Sequence, residues 1–148
     1  MNERDAFLES VTSPLRAAEI AFHNGDAAPR AALWSHNDPV TLFGAAFQGS
    51  GWDTLSRTFD FIASRFSNCE SWDYEVLSAG ASGDLAYLVG IEHTTASVGG
   101  AAAEPYALRV TTIFRREQGE WKEIHRHADP MPDSTGARVQ VARLSEGT

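Results

Sequence analysis

The chain is poor in cysteine, in positive charge and in uninterrupted apolar sequence, and each shortage removes a class of function. Cys69 is the only cysteine, so no intrachain disulfide can form. It lies in Ser67-Asn68-Cys69-Glu70, among neighbours that do not lower a thiol pKa, and reads as an inert thiol rather than a nucleophile. Lys122 is the only lysine, and the formal net charge of -8 with a pI of about 5.0 argues against a nucleic-acid-binding or anionic-membrane surface. No stretch approaches the roughly 18 apolar residues of a membrane helix. The segment Met1-Asn2-Glu3-Arg4-Asp5-Ala6 is charged where a secretory signal is apolar, so the cytoplasm is the expected compartment. No glycine-rich loop is built to cradle phosphate, and no serine sits in a nucleophile elbow. No cofactor is expected.

What the chain does contain is an ordinary globular balance, 43% hydrophobic and 22% charged over 148 residues, enough for one core. Phe7, Leu8, Val11, Leu15, Ala18 and Phe22 mark an apolar face that reads as one kinked helix or two, with Pro14 between its halves. His23-Asn24-Gly25-Asp26 ends that segment, and a short helix is expected over 29–34. Val40-Thr41-Leu42-Phe43 has strand composition, and Gly49-Ser50-Gly51 is expected to break the chain. Trp52, Leu55, Phe59, Ile62 and Phe66 then recur at helical spacing. Glycine and asparagine signals divide the remainder into strands over about 71–79, 85–95, 106–116 and 120–128. Helices first and antiparallel strands afterwards predict an α+β domain over residues 1–130. Residues 131–148 are expected to form a flexible or partner-dependent tail.

Three segments carry a likeness to a known pattern. They are Ala32-Leu33-Trp34-Ser35 leading into Asp38-Pro39-Val40-Thr41-Leu42-Phe43-Gly44, then Ser82-Gly83-Asp84-Leu85-Ala86-Tyr87 through Gly90-Ile91-Glu92. The third runs from Leu108-Arg109-Val110-Thr111 through Arg115-Arg116, Gly119 and Trp121 to His125-Arg126-His127-Ala128-Asp129. In order and spacing they resemble the nuclear transport factor 2-like superfamily, in its ketosteroid isomerase-like, SnoaL-like branch. The resemblance implies a cone-shaped curved antiparallel sheet packed on N-terminal helices, a cystatin-like α+β barrel. It also implies frequent homodimerisation through the outer sheet face. It implies little about chemistry, because relatives include isomerases, cyclases, hydrolases, dehydratases and silent binding or assembly modules. Ketosteroid isomerases use an aspartate base with a tyrosine and a protonated aspartic acid; that trio has no residue-by-residue counterpart here.

The sharpest local feature is His125-Arg126-His127-Ala128-Asp129. Alternate residues of a strand share a face, so His125, His127 and Asp129 have the spacing of two metal ligands and a carboxylate; a shell would need a further ligand, for which Glu92, His93 and His36 are the candidates, and no metal is expected. General acid–base chemistry fits better. If Glu117-Gln118-Gly119 forms a three-residue loop, Arg109 faces His127 and Thr111 faces His125; a two-residue Gln118-Gly119 turn puts Val110 opposite His127 instead. Glycine at the last loop position favours the first register. The expected catalytic groups are therefore Arg109, His127 and Glu92, with Trp34, Tyr106, Thr111 and His125 contacting the ligand. Each has a structural alternative, such as an Arg109 ion pair with Glu92 or Asp129. With these polar groups on one sheet face, the resemblance implies a pocket for a small apolar or polyketide-like organic molecule, with cofactor-free isomerase, cyclase or dehydratase chemistry. The alternative is a non-catalytic ligand-binding or dimeric assembly domain.

Overall fold

A computed structural model describes residues 1–132 and 135–146, with no side chains described for 135–138. Its elements are α1 (Glu3–Phe22), α2 (Ala28–Leu33), β1 (Thr41–Phe43), β2 (Gln48–Ser50), α3 (Trp52–Arg65), β3 (Phe66–Ser82), β4 (Leu85–Val98), β5 (Glu104–Glu117), β6 (Glu120–Pro130) and α4 (Thr135–Ser145). The first apolar face is one helix, not two. Pro14 lies within α1, where its missing N–H removes only the bond to the Ser10 carbonyl. Asn2 starts the helix, its side chain accepting from the Asp5 amide at 2.8 Å. α3 begins at Gly51, whose φ of 90° favours glycine, and its first amide, of Trp52, donates to Asp38 Oδ1 at 2.9 Å.

The strands form one six-stranded sheet in the order β2-β1-β6-β5-β4-β3. It is curved and unclosed, with the N-terminal helices against one face, which is the expected α+β cone. All pairings are antiparallel except β1 with β6. The short strand β2 replaces the expected break at Gly49-Ser50-Gly51; only its pairing with β1 holds it extended. Two clusters fill the concave side. Phe7, Val11 and Leu15 of α1 pack with Trp72, Leu88 and Phe114, and Leu55 and Phe59 of α3 pack with Trp34, Val40, Leu42 and Val110. Burying each of these large side chains contributes roughly 1.5–3 kcal/mol. Residues Thr135–Ser145, in the expected tail, are helical, and Gln140 and Leu144 of α4 are buried against the body of the domain. Among the described residues no helix is long and apolar enough to cross a membrane.

The β5–β6 hairpin corrects the expected register. Glu117 pairs with Glu120 around a two-residue turn in which Gln118 and Gly119 both have positive φ, 51° and 81°, as a type I′ turn requires. Phe114 then pairs with Glu123 but Ile113 with His125, so Ile124 is an extra residue, a β-bulge. Beyond it Thr111 faces His127 and Arg109 faces Asp129. The bulge decides the faces: Glu123, Arg126 and Ala128 are buried on the concave side, while His125 and His127 are more exposed. Were Ile124 paired in the ladder instead of bulged, Arg126 would point outward.

Candidate functional site

Ionisable side chains converge on the concave face from five elements. Glu19 and His23 extend the buried stripe of Leu15, Ala18 and Phe22 at the end of α1. Arg30 comes from α2, Glu92 from β4, Tyr106 from β5, and Glu123 and Arg126 from β6; all are buried. Arg126 grips Glu92 through two bonds, Nη1 to Oε2 at 2.7 Å and Nη2 to Oε1 at 2.9 Å. Arg30 does the same to Glu19, Nε to Oε2 at 3.0 Å and Nη2 to Oε1 at 2.5 Å. The two pairs meet where Arg126 Nη1 lies 3.7 Å from Glu19 Oε1. Arg30 also lies 3.5 Å over the Phe22 ring, a cation–π contact that suits a weakly hydrated guanidinium.

Burial would raise the Glu19 carboxyl, but Arg30 and then Arg126 outweigh it and hold its pKa at about 2. Glu123 goes the other way. Burial, and then Glu19, push it up to about 8 against the opposing pull of Arg126 and Arg30. Glu19 and Glu92 thus match Arg30 and Arg126, and the fifth group carries a proton at neutral pH.

His23 and Tyr106 form the second feature. The His23 ring reaches the Glu19 backbone carbonyl with Nδ1 at 2.7 Å and the Tyr106 hydroxyl with Nε2 at 2.5 Å. A carbonyl only accepts, so Nδ1 carries the hydrogen, and Nε2 of the neutral ring accepts from Tyr106. Burial pushes the imidazole below its usual pKa despite Glu19, and burial with Glu92 and Glu19 nearby pushes the phenol above its own. Both groups are neutral at physiological pH. They border a cavity of about 60 Å³, walled by Phe22, Leu42, Phe47, Phe66 and Leu144, with Arg126 and Arg30 also at its surface.

The sequence-derived residues fall on both faces of the sheet. Glu92 and Tyr106 are on the concave face. Trp34 is buried in the core, its ring 5.2 Å from that of Phe59, and is not among the cavity-lining residues. Arg109, Thr111, His125 and His127 lie together on the convex face. There Arg109 Nε bonds Asp129 Oδ1 at 2.6 Å, His125 Nδ1 meets Thr41 Oγ1 at 2.7 Å, and Phe43 sets its ring edge-on to both histidines. Burial and His127 lower the His125 pKa. Among the described residues no group of His, Cys, Asp and Glu has the arrangement of a metal site. Sequence reasoning missed Glu19, His23, Arg30, Glu123 and Arg126. The helical spacing of Glu19 and His23 with Leu15 and Phe22 was a usable signal; Arg30 carried none.

A family model described as a SnoaL-like domain matches residues 11–133. Curated proteins contain no match. Solved structures share the architecture. A candidate dehydratase of the NTF2-like family from Streptomyces avermitilis, 22% identical, superposes with a TM-score of 0.68 over 86% of this chain and 97% of its own. A candidate calcium/calmodulin dependent protein kinase II association domain from Xanthomonas campestris, 14% identical, gives 0.63 over 90% of each chain. A candidate ketosteroid isomerase from Parabacteroides distasonis, 14% identical, gives 0.62 over 83% of this chain and 86% of its own. At such identities the likeness concerns the fold.

Proposed function

The chain belongs to the SnoaL-like domain family, and from that premise we propose that its concave cavity binds a small, largely apolar organic molecule and exchanges a proton with it through Tyr106 and His23. The observation that carries this reading is the 2.5 Å contact between the Tyr106 hydroxyl and His23 Nε2 at the wall of an apolar cavity. Rotation of that hydroxyl onto a ligand oxygen stabilises charge developing there and frees Nε2 to take a proton from the ligand. The Nδ1 bond to the Glu19 carbonyl keeps the ring in place. A neutral imidazole and a neutral phenol are the states these roles need. Returning the proton elsewhere on the ligand gives an isomerisation; returning it to a departing hydroxyl gives a dehydration. Glu92 serves here as the anchor of Arg126 rather than as a base.

The test is a calorimetric screen of cyclic ketones, enones and hydroxyketones. Tyr106→Phe is expected to weaken binding about tenfold, the worth of one hydrogen bond. His23→Gln is expected to lower turnover of any substrate by about 10²–10⁴ with little change in affinity. Ligands that bind Tyr106→Phe and the parent protein equally would sink the reading.

The convex face favours a second role. Phe43, Leu85, Tyr87 and Ile113 are exposed there, Leu85 by 55%, beside Arg109, Thr111, His125 and His127. Grouped apolar residues on a sheet face suit an isologous homodimer. Light scattering after size exclusion is expected to give twice the chain mass, and Ile113→Lys with Tyr87→Lys to give the monomer. A monomeric parent protein at micromolar concentration rejects this assembly.

A further inference from the structure

We propose that α4 is the size filter of the concave cavity, with Leu144 as its plug. The inference rests on the cavity being the binding site and concerns which molecules reach it. The cavity of about 60 Å³ holds about two waters, whereas pockets for organic ligands begin near 300 Å³. Among the described residues, Leu144 is the contribution of α4 to the lining, and the rest come from the body of the domain. It is 8% exposed and joins the core cluster, with the partly buried Val141 packed alongside.

Two polar side chains tie the helix to the sheet beside this apolar contact. Gln140 is fully buried, and its Nε2 donates to the carbonyls of Ala96 at 2.9 Å and Glu104 at 3.3 Å. Those two residues are the last β4–β5 pair. Arg143 Nη1 ties Glu104 Oε2 at 3.0 Å to Gln140 Oε1 at 3.2 Å. One amide and one guanidinium therefore latch α4 to the rim of the sheet and set how deep Leu144 sits. With the latch closed, the Tyr106 hydroxyl is reachable only by molecules of a few heavy atoms. With it open, a single apolar ring bearing one carbonyl or hydroxyl fits, and that is the ligand class assigned.

Indole serves as the probe, because its binding in an enlarged cavity needs neither the natural ligand nor turnover. An apolar cavity of about 150 Å³ takes up benzene, and Leu144→Ala removes three carbons from the wall of this one. Leu144→Ala is expected to bind indole at least about tenfold more tightly than the parent chain. Gln140→Ala is expected to speed hydrogen exchange of the amides of residues 139–145 about tenfold, with the amides of β4, β5 and β6 unchanged. Circular dichroism of both variants checks that they are folded. Unchanged indole affinity in a folded Leu144→Ala overturns the proposal, as does exchange in Gln140→Ala that rises equally in helix and sheet. Should indole bind Leu144→Ala while no oxygenated ligand discriminates Tyr106→Phe from the parent, the filter stands and the proton-exchange reading falls.

Discussion

Replacing Arg126 by methionine is expected to cost about 3–5 kcal/mol, the usual effect of removing one partner from a buried ion pair. At about 2–4 °C per kcal/mol for a chain of this size, the melting temperature falls by on the order of 10 °C. Methionine fills much of the same space, so the loss is electrostatic. Glu92 is left in the core without its two bonds, and Glu19 loses the more distant of its two cations. The double variant Arg126→Met/Glu92→Leu should recover most of the loss, since an apolar pair replaces a charged one at little cost. Urea unfolding of the parent protein and the two variants at pH 7 measures both effects. A loss below about 1 kcal/mol in the single variant would mean that water reaches the pair. In the parent protein Glu19 adds a pH dependence. Its pKa is lowered from 4.5 to about 2, so its contribution is fully present above 4.5 and is lost as pH falls through 2.

Glu123→Gln is expected to stabilise the protein at neutral pH. The folded state holds this carboxyl protonated up to about pH 8, against a reference value of 4.5. Below 4.5 both states bind the proton and there is no penalty. As pH rises from 4.5 to 8 the unfolded chain ionises while the folded one does not, so stability drains away across that window. At pH 7 the gain from glutamine, which is neutral at every pH, is roughly 2–4 kcal/mol. Denaturation midpoints for the two proteins should converge near pH 4 and separate progressively up to pH 8. A separation that is constant with pH contradicts a protonated Glu123.

Much of the fold was legible from side-chain spacing. Trp52, Leu55, Phe59 and Ile62 predicted α3, and Gly83 and Gly119 predicted the turns that bound β4, β5 and β6. What was not legible depends on partners distant in the chain. Gln48–Ser50 is a strand only because β1 lies beside it, and α4 takes its place from buried contacts of Gln140 and Leu144 rather than from a strong apolar period. The site divides in the same way. Glu92 and Tyr106 follow the alternation of long, regular strands. His23 sits at the C-cap of α1, where Asn24 and Gly25 read as no more than a helix stop. Arg126 was hidden by its neighbours, because two histidines on either side drew the chemistry to the opposite face. No glycine announces the bulge that turns this segment over.

The extra residue at Ile124 ties the length of β6 to the composition of the cavity wall. The strand carries one residue more than its partner needs, and the kink absorbs it. A chain lacking Ile124 could run straight and still keep Arg126 and Ala128 inward. Loss of a residue after Arg126 has no such refuge, since every later side chain then changes sides. Drift in strand length is therefore harmless at one position and inverts the lining a short distance further on, with no amino acid substituted at all.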